Sequence, residues 1–284
     1  MGQLRDRMEA DLRLGGYSPG TIKIYLIYAT KFAKHCDRSP AEMGDNEIRT
    51  FLLHLVEVRR VSSETYRQAR AALKFLYEVT LKRPVEVIHL PTRRHPRRLP
   101  LILSGTEVGL LLGAVRNDKY RTILTAMYGA GLRIYEACRL RPENIDAKRR
   151  LLRIRGKGNR DRYTVLSNRL LQELRAYWRR HQPEGWLFPG RGWQKPITPD
   201  PVRLVFKQAL KDAGIRKNVT PHVLRHSFAT HLVETGTDVA VVQALLGHRS
   251  LRATAAYMHV RVEHAEKIRS PLDLLDTPDG RVLG

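Results

Sequence analysis

The chain has 284 residues, 42% of them hydrophobic, which is enough apolar material for two modest cores and too much for a disordered basic tail. Its 51 lysines and arginines outnumber 28 acidic residues, for a formal net charge of +23. Such an excess repels itself unless a polyanion is near, so nucleic acid is the expected partner ahead of an anionic membrane surface. Two distant cysteines, Cys36 and Cys138, exclude a disulfide framework and a four-thiolate zinc site. No apolar run approaches the roughly 20 residues that span a bilayer. Residues 1–6, MGQLRD, lack the apolar core of an export signal, so a cytoplasmic, soluble protein is expected.

Residues 1–90 read as helices. Leu4, Met8, Leu12 and Leu14 suggest a first amphipathic segment, closed by Gly15-Gly16. Ser18-Pro19 opens a second, with proline at its first position, and Ile22, Tyr25, Leu26, Ala29 and Phe32 recur at helical spacing. Phe51, Leu52, Leu55 and Val56 mark a third. A fourth turns Tyr66, Ala69, Ala72, Leu73, Leu76 and Tyr77 inward and Arg67, Arg70 and Lys74 outward. Short loops make this a compact four-helix unit.

Residues 91–103 form a basic linker. Three prolines in 91–100 preclude a regular helix, and Arg93, Arg94, Arg97 and Arg98 carry no acid between them. A stiff cationic strap of this kind suits a phosphate backbone.

From Ser104 a second domain is expected to run to residue 284. Thr106-Glu107 precedes Val108, Leu111, Leu112 and Val115 in a capped helix, and Tyr120, Ile123, Leu124 and Met127 form another, broken at Gly129-Ala130-Gly131. After Pro142 the period changes to two: 151–155 and 163–166 are strand-like, separated by a hairpin tip that carries Lys157. Helices are expected at 168–180, 200–213, 221–235, 238–247 and 252–258. The whole is mainly α with a small β-sheet.

No phosphate loop for a nucleoside triphosphate is present. His222 and His226 lie four apart, but Val223, Leu224 and Arg225 between them include no glutamate and do include a cation. No metal and no cofactor are therefore expected. Thr220 as cap and Pro221 at the first turn would start a helix on which His222 and Arg225 share a face near the positive end, a setting suited to phosphate. Ser227 lies mid-helix without a pre-positioned base and is set aside as a nucleophile. His226, His231 and His259 are expected to be structural, and Tyr128 and Tyr163 to be packing residues.

Taken in order, Gly131-Leu132-Arg133-Ile134-Tyr135-Glu136, Lys157, His222-Val223-Leu224-Arg225, Gly247-His248 and Tyr257 resemble the signature of the tyrosine recombinase (phage integrase) family. The stretch from Pro221 to Tyr257 is most similar to the Xer-like and integron-integrase-like branches. The segment between Lys157 and His222 is shorter than the extra helix of integron integrases would need. The resemblance implies a helical core-binding (SAM-like) domain over 1–90 and an α+β catalytic domain with a C-terminal tail over 104–284, closing as a C-shaped clamp on double-stranded DNA.

It further implies a site-specific recombinase that cuts and rejoins DNA through a 3′-phosphotyrosyl intermediate without metal. Tyr257 would be the nucleophile, and Arg133 and Arg225 would offer fork-shaped donors to the non-bridging oxygens. Lys157, its pKa pushed down by neighbouring arginines, would protonate the leaving 5′ oxygen. His222 would act as base or hydrogen-bond partner, His248 as a donor to phosphate, and Glu136 as an orienting group for His222 or Arg133. Four protomers on two duplexes, in a prokaryotic mobile element or at the nucleoid, complete the expectation. Pro271–Leu275 is an apolar patch suited to docking on a neighbour or on its own domain. Two alternatives remain open: relaxation of DNA in the manner of a type IB topoisomerase, and DNA binding by a regulator without catalysis.

Overall fold

A computed structural model describes residues 2–84, 101–155, 161–247 and 270–274. The chain divides into two compact units, Met1–Arg98 and Leu99–Gly284.

The first unit is helical, as its apolar spacing predicts. Helices α1 (Gly2–Leu14), α2 (Pro19–Cys36), α3 (Asp45–Glu57) and α4 (Ser63–Phe75) follow in order, and a wider turn at Leu76–Thr80 extends α4. Ser18 and Ser62 accept the N–H groups of Thr21 and Thr65, satisfying donors that a helix start leaves over. Met8, Leu12, Phe32, Ile48, Leu73 and Tyr77 are fully buried at the centre of this unit. The Tyr77 hydroxyl, carried into that core, donates to the Pro40 carbonyl at 2.9 Å. Leu14 departs from the expected pattern: it is 87% exposed, because α1 ends there and the chain turns away through the left-handed Gly16. Arg70 is half-buried rather than on the outer face, whereas Arg67 and Lys74 are exposed.

The second unit packs seven described helices around a three-stranded sheet. They are α5 (Gly105–Ala114), α6 (Asp118–Gly129), α7 (Ile134–Cys138), α8 (Asn168–His181), α9 (Pro199–Asp212), α10 (His222–Glu234) and α11 (Val239–Leu246). Strands β1 (Ile145–Asp146), β2 (Leu151–Arg155) and β3 (Asp161–Val165) form an antiparallel sheet in the order β1-β2-β3. Leu152 opposes Thr164 and Ile154 opposes Arg162 on the face toward the core, since alternate residues share a face. Ile123, Met127, Leu152, Leu174, Phe206, Leu224 and Phe228 belong to one continuous core. Burying side chains of this size stabilises the fold by about 1.5–3 kcal/mol each before chain entropy is charged against it.

Long-range bonds fix both ends of this unit. Leu103 is fully buried, and its N–H donates to Ser227 Oγ at 2.9 Å. Ser227, discarded as a nucleophile, thus has a structural task. Lys217 Nζ reaches both the Ile102 carbonyl and the Glu107 carboxylate. At the other end, residues 271–274 pack on their own domain. Leu272 is buried over Gly129, the Ser270 hydroxyl donates to the Gly129 carbonyl, and Arg169 donates to the Leu272 carbonyl.

Tyr128 is buried as expected, its hydroxyl 2.9 Å from His231 Nδ1, but Tyr163 is 55% exposed because β3 turns it away from the core. Helix α10 begins at His222, one residue later than the spacing suggests. Pro221 stands at its cap, and Thr220 contributes a carbonyl to the Val223 N–H instead of a side-chain cap.

Candidate active site

The break between α6 and α7 sets the geometry of the site. Gly131 adopts a left-handed backbone (φ +63°), and a β-carbon there would lie 2.6 Å from the Phe228 ring and 2.8 Å from Leu246. Only glycine allows this close approach of the turn to α10 and α11. The turn directs the Gly131 carbonyl inward and places Arg133 at the cap of α7. Glu136, one turn on, accepts the Arg133 N–H at 2.7 Å and Arg133 Nη1 at 2.8 Å. A five-residue helix is thereby started by the same carboxylate that holds the arginine side chain.

Arg225 arrives from α10. Although one turn from the exposed His222, it is 2% exposed, so the two do not present one shared outer face. Its Nη1 donates to the Gly131 carbonyl at 2.7 Å and its Nη2 to the Leu246 carbonyl, while Nη1 lies 3.7 Å from Glu136 Oε2. A buried cation is tolerable only when paired and hydrogen-bonded, and Arg225 is both. Burial, then the charges of Arg133 and Arg162, pull its pKa down to about 9, so it remains a cation at neutral pH.

Arg162 of β3 is a member of the site that the sequence did not disclose. Its Nη1 and Nη2 reach Glu136 Oε1 and Oε2, both at 2.8 Å, and its Nε donates to the Leu245 carbonyl at 3.0 Å. The signal was the strand period, which puts Arg162 on the same face as buried Thr164. A cation facing a core calls for a partner. Burial alone would raise the Glu136 pKa, but bonds to Arg162, its charge, and the two Arg133 donors outweigh burial and hold it near 2. Glu136 therefore holds Arg133 by both its backbone N–H and its side chain.

Three arginines on one carboxylate leave a local charge of +2. Arg133, with its side chain 43% exposed, is the member open to solvent. His222 stacks edge-on against His226 at 4.6 Å between ring centroids, and burial followed by the charge of Arg225 lowers the His226 pKa. Among the described residues no group of three or more metal-ligating side chains comes together. The described helices include none long and apolar enough to cross a membrane. Lys157, His248 and Tyr257, the linker arginines Arg93, Arg94, Arg97 and Arg98, the 252–258 helix and His259 lie outside the described residues.

In the first unit, Arg67 pairs with Glu64 and Lys74 with Glu78, each on its own helix. The spacing did not reveal a groove of about 460 Å³ lined by Arg5, Lys23, Lys31 and Lys34 with Leu26 and Ile27, and no carboxylate is among the described residues that line it.

Residues 102–264 match the Phage integrase family, and residues 4–87 match the phage integrase N-terminal SAM-like domain. An integrase/recombinase of Sinorhizobium fredii, y4qK, is 43% identical over 282 residues, covering 98% of this chain and 91% of the relative. The tyrosine recombinase XerA of Thermococcus onnurineus is 33% identical over 291 residues, covering 97% of each chain. A lambda integrase dimer solved on a core site shares the fold, with a TM-score of 0.70 at 17% identity over 88% of this chain and 95% of that one.

Proposed function

Because the chain belongs to the phage integrase (tyrosine recombinase) family and is a site-specific recombinase, we propose that the cluster on Glu136 is its scissile-phosphate site. The observation that carries this reading is the convergence of Arg133 and Arg225, 92 positions apart, on one carboxylate with a surplus of positive charge. Cations held rigidly before the substrate arrives need no reorganisation when charge develops on a phosphorane.

In the proposed reaction the Tyr257 hydroxyl attacks phosphorus, forming the 3′-phosphotyrosyl bond as the bond to the 5′ oxygen breaks. Lys157 gives the departing oxygen its proton, and His222 receives or orients the tyrosine proton. Arg133, Arg225 and His248 bind the non-bridging oxygens. Attack by a 5′ hydroxyl reverses each step, so the phosphodiester energy is conserved without ATP or metal.

Double-stranded DNA is the proposed substrate, held by a core-binding domain (1–90), a basic strap (91–103) and a catalytic domain (104–284). Arg93, Arg94, Arg97 and Arg98 of the strap and Arg67, Arg70 and Lys74 of α4 track the backbone, joined by Arg5, Lys23, Lys31 and Lys34 of the α1–α2 groove. Four protomers on two duplexes exchange strands in a prokaryotic cytoplasm, moving or resolving a genetic element. The test sets synapsis and strand exchange between two duplexes carrying a mapped site against relaxation of supercoiled DNA. Site-dependent exchange supports the reading. Relaxation without site preference overturns it in favour of a topoisomerase.

A further inference from the structure

Glu136 accepts four hydrogen bonds, two from Arg133 and two from Arg162, about as many as a carboxylate has lone-pair sites. The two arginines differ in what they have left to offer. Arg162 spends Nε on the Leu245 carbonyl and both terminal nitrogens on Glu136, and its side chain is only 12% exposed. Arg133 spends Nη1 alone, which leaves Nε and Nη2 without a protein acceptor among the described residues.

Arg162 also shapes the end of α11. The last two carbonyls of that helix, Leu245 and Leu246, are taken by Arg162 and Arg225 respectively, so two cations sit at its negative end. The Arg162 Cδ lies 2.8 Å from where a β-carbon on Gly247 would stand, and Gly247 has φ +64°. Side chain and glycine together fix the exit of the helix.

We propose that Arg162 is a positioning residue for DNA cleavage: it is the resident counter-ion of Glu136, leaves the spare donors of the exposed Arg133 to the scissile phosphate and keeps the buried Arg225 in place behind it. The inference rests on the assignment of those two arginines to phosphate. Without Arg162, two acceptor sites of a buried carboxylate open. Arg225 Nη1, already 3.7 Å away, can move onto them, as can the donors of Arg133 that its bond through Nη1 leaves over. Each donor drawn onto Glu136 is lost to substrate, and the cluster charge falls from +2 to +1. Replacing Glu136 by glutamine at the same time returns it to +2 and leaves a neutral amide with one acceptor oxygen in place of a carboxylate with two, a much weaker competitor.

Single-turnover formation of the covalent adduct on a nicked duplex tests this in full-length wild type, R162Q, E136Q and E136Q/R162Q. DNA affinity and thermal unfolding are read in parallel. R162Q should cleave at least tenfold more slowly at saturating DNA, with affinity within twofold of wild type, and adding E136Q should recover at least threefold. A smaller loss, a change carried by affinity, or no recovery overturns the inference. A merely structural role predicts that the two substitutions compound. Should R162Q lose its unfolding transition, R162K decides, because it keeps the charge but not the two-pronged grip. A slowing of threefold or more supports positioning, and less overturns it. Wild type that forms no adduct would overturn the phosphate assignment itself, whereas wild-type adduct with unchanged R162Q would overturn this inference alone.

Discussion

Gly131→Ala probes the geometry on which the site depends. The added methyl must occupy a left-handed backbone, which costs an L-residue about 1–2 kcal/mol. It must also fit 2.6 Å from the Phe228 ring and 2.8 Å from Leu246, both buried in a packed core. Overpacking of this kind costs about 1–3 kcal/mol. The sum, about 2–5 kcal/mol, should shift the unfolding equilibrium of the 99–284 unit by at least tenfold, at about 1.4 kcal/mol per decade. Gly214→Ala, with φ +69° but no atom within 4 Å, should show the backbone cost alone. Activity should fall further than stability explains, because the Gly131 carbonyl accepts Arg225 Nη1 at 2.7 Å and any retreat of the turn displaces that arginine. A misplacement near 1 Å can cost about a hundredfold in rate. Denaturant titration and single-turnover cleavage at full folding measure the two effects. Stability within 0.5 kcal/mol of wild type, taken roughly as the error of such titrations, would refute the packing argument, and unchanged cleavage would refute the link to Arg225.

Glu136 should make stability pH-dependent: its folded pKa near 2 lies below the ordinary 4.5, so the contribution is complete above about pH 4.5 and is lost as pH falls toward 2. The full span is worth about 3 kcal/mol, and the difference between wild type and Glu136→Gln in denaturant titrations should shrink by about 2 kcal/mol between pH 6 and pH 3. Leu272→Ala, at a position 1% exposed over Gly129, should cost about 2–5 kcal/mol by thermal or chemical unfolding if the tail's docking on its own domain stabilises the unit. Replacing Arg93, Arg94, Arg97 and Arg98 by glutamine should flatten the slope of log affinity against log salt by about 3–4, at roughly 0.9 per phosphate contact, with little change in cleavage rate at saturation.

The helices were legible because their apolar residues recur at 3.6 and Ser18-Pro19 marks a start, whereas the caps at Ser62, Ser104 (two residues before the expected Thr106-Glu107) and Ser167 show only in the fold. The β2–β3 hairpin was legible from its period of two. The fine structure of the site was less so, because it is built from contacts between distant segments. Arg162 and Glu136 are 26 positions apart, and Arg225 and Gly131 are 94 apart; neither separation leaves a periodic trace. The helical spacing of His222 and Arg225 suggested a common face, yet the pull of two backbone carbonyls and Glu136 turns Arg225 inward. Tyr163 looked like a core tyrosine by type alone, but strand alternation faces it outward. Ser227 and Leu103 meet across 124 positions, so a hydroxyl without an apparent task proves to satisfy a buried N–H.

The most direct test of the proposed chemistry is the covalent adduct itself. Wild-type protein and a nicked duplex carrying the mapped site, incubated in EDTA and denatured, should yield a protein–DNA species whose linkage maps to Tyr257 by peptide mass. Tyr257→Phe should yield none while still binding the duplex. An adduct that survives in Tyr257→Phe, or one that forms only when magnesium is supplied, would contradict a metal-independent phosphotyrosyl mechanism.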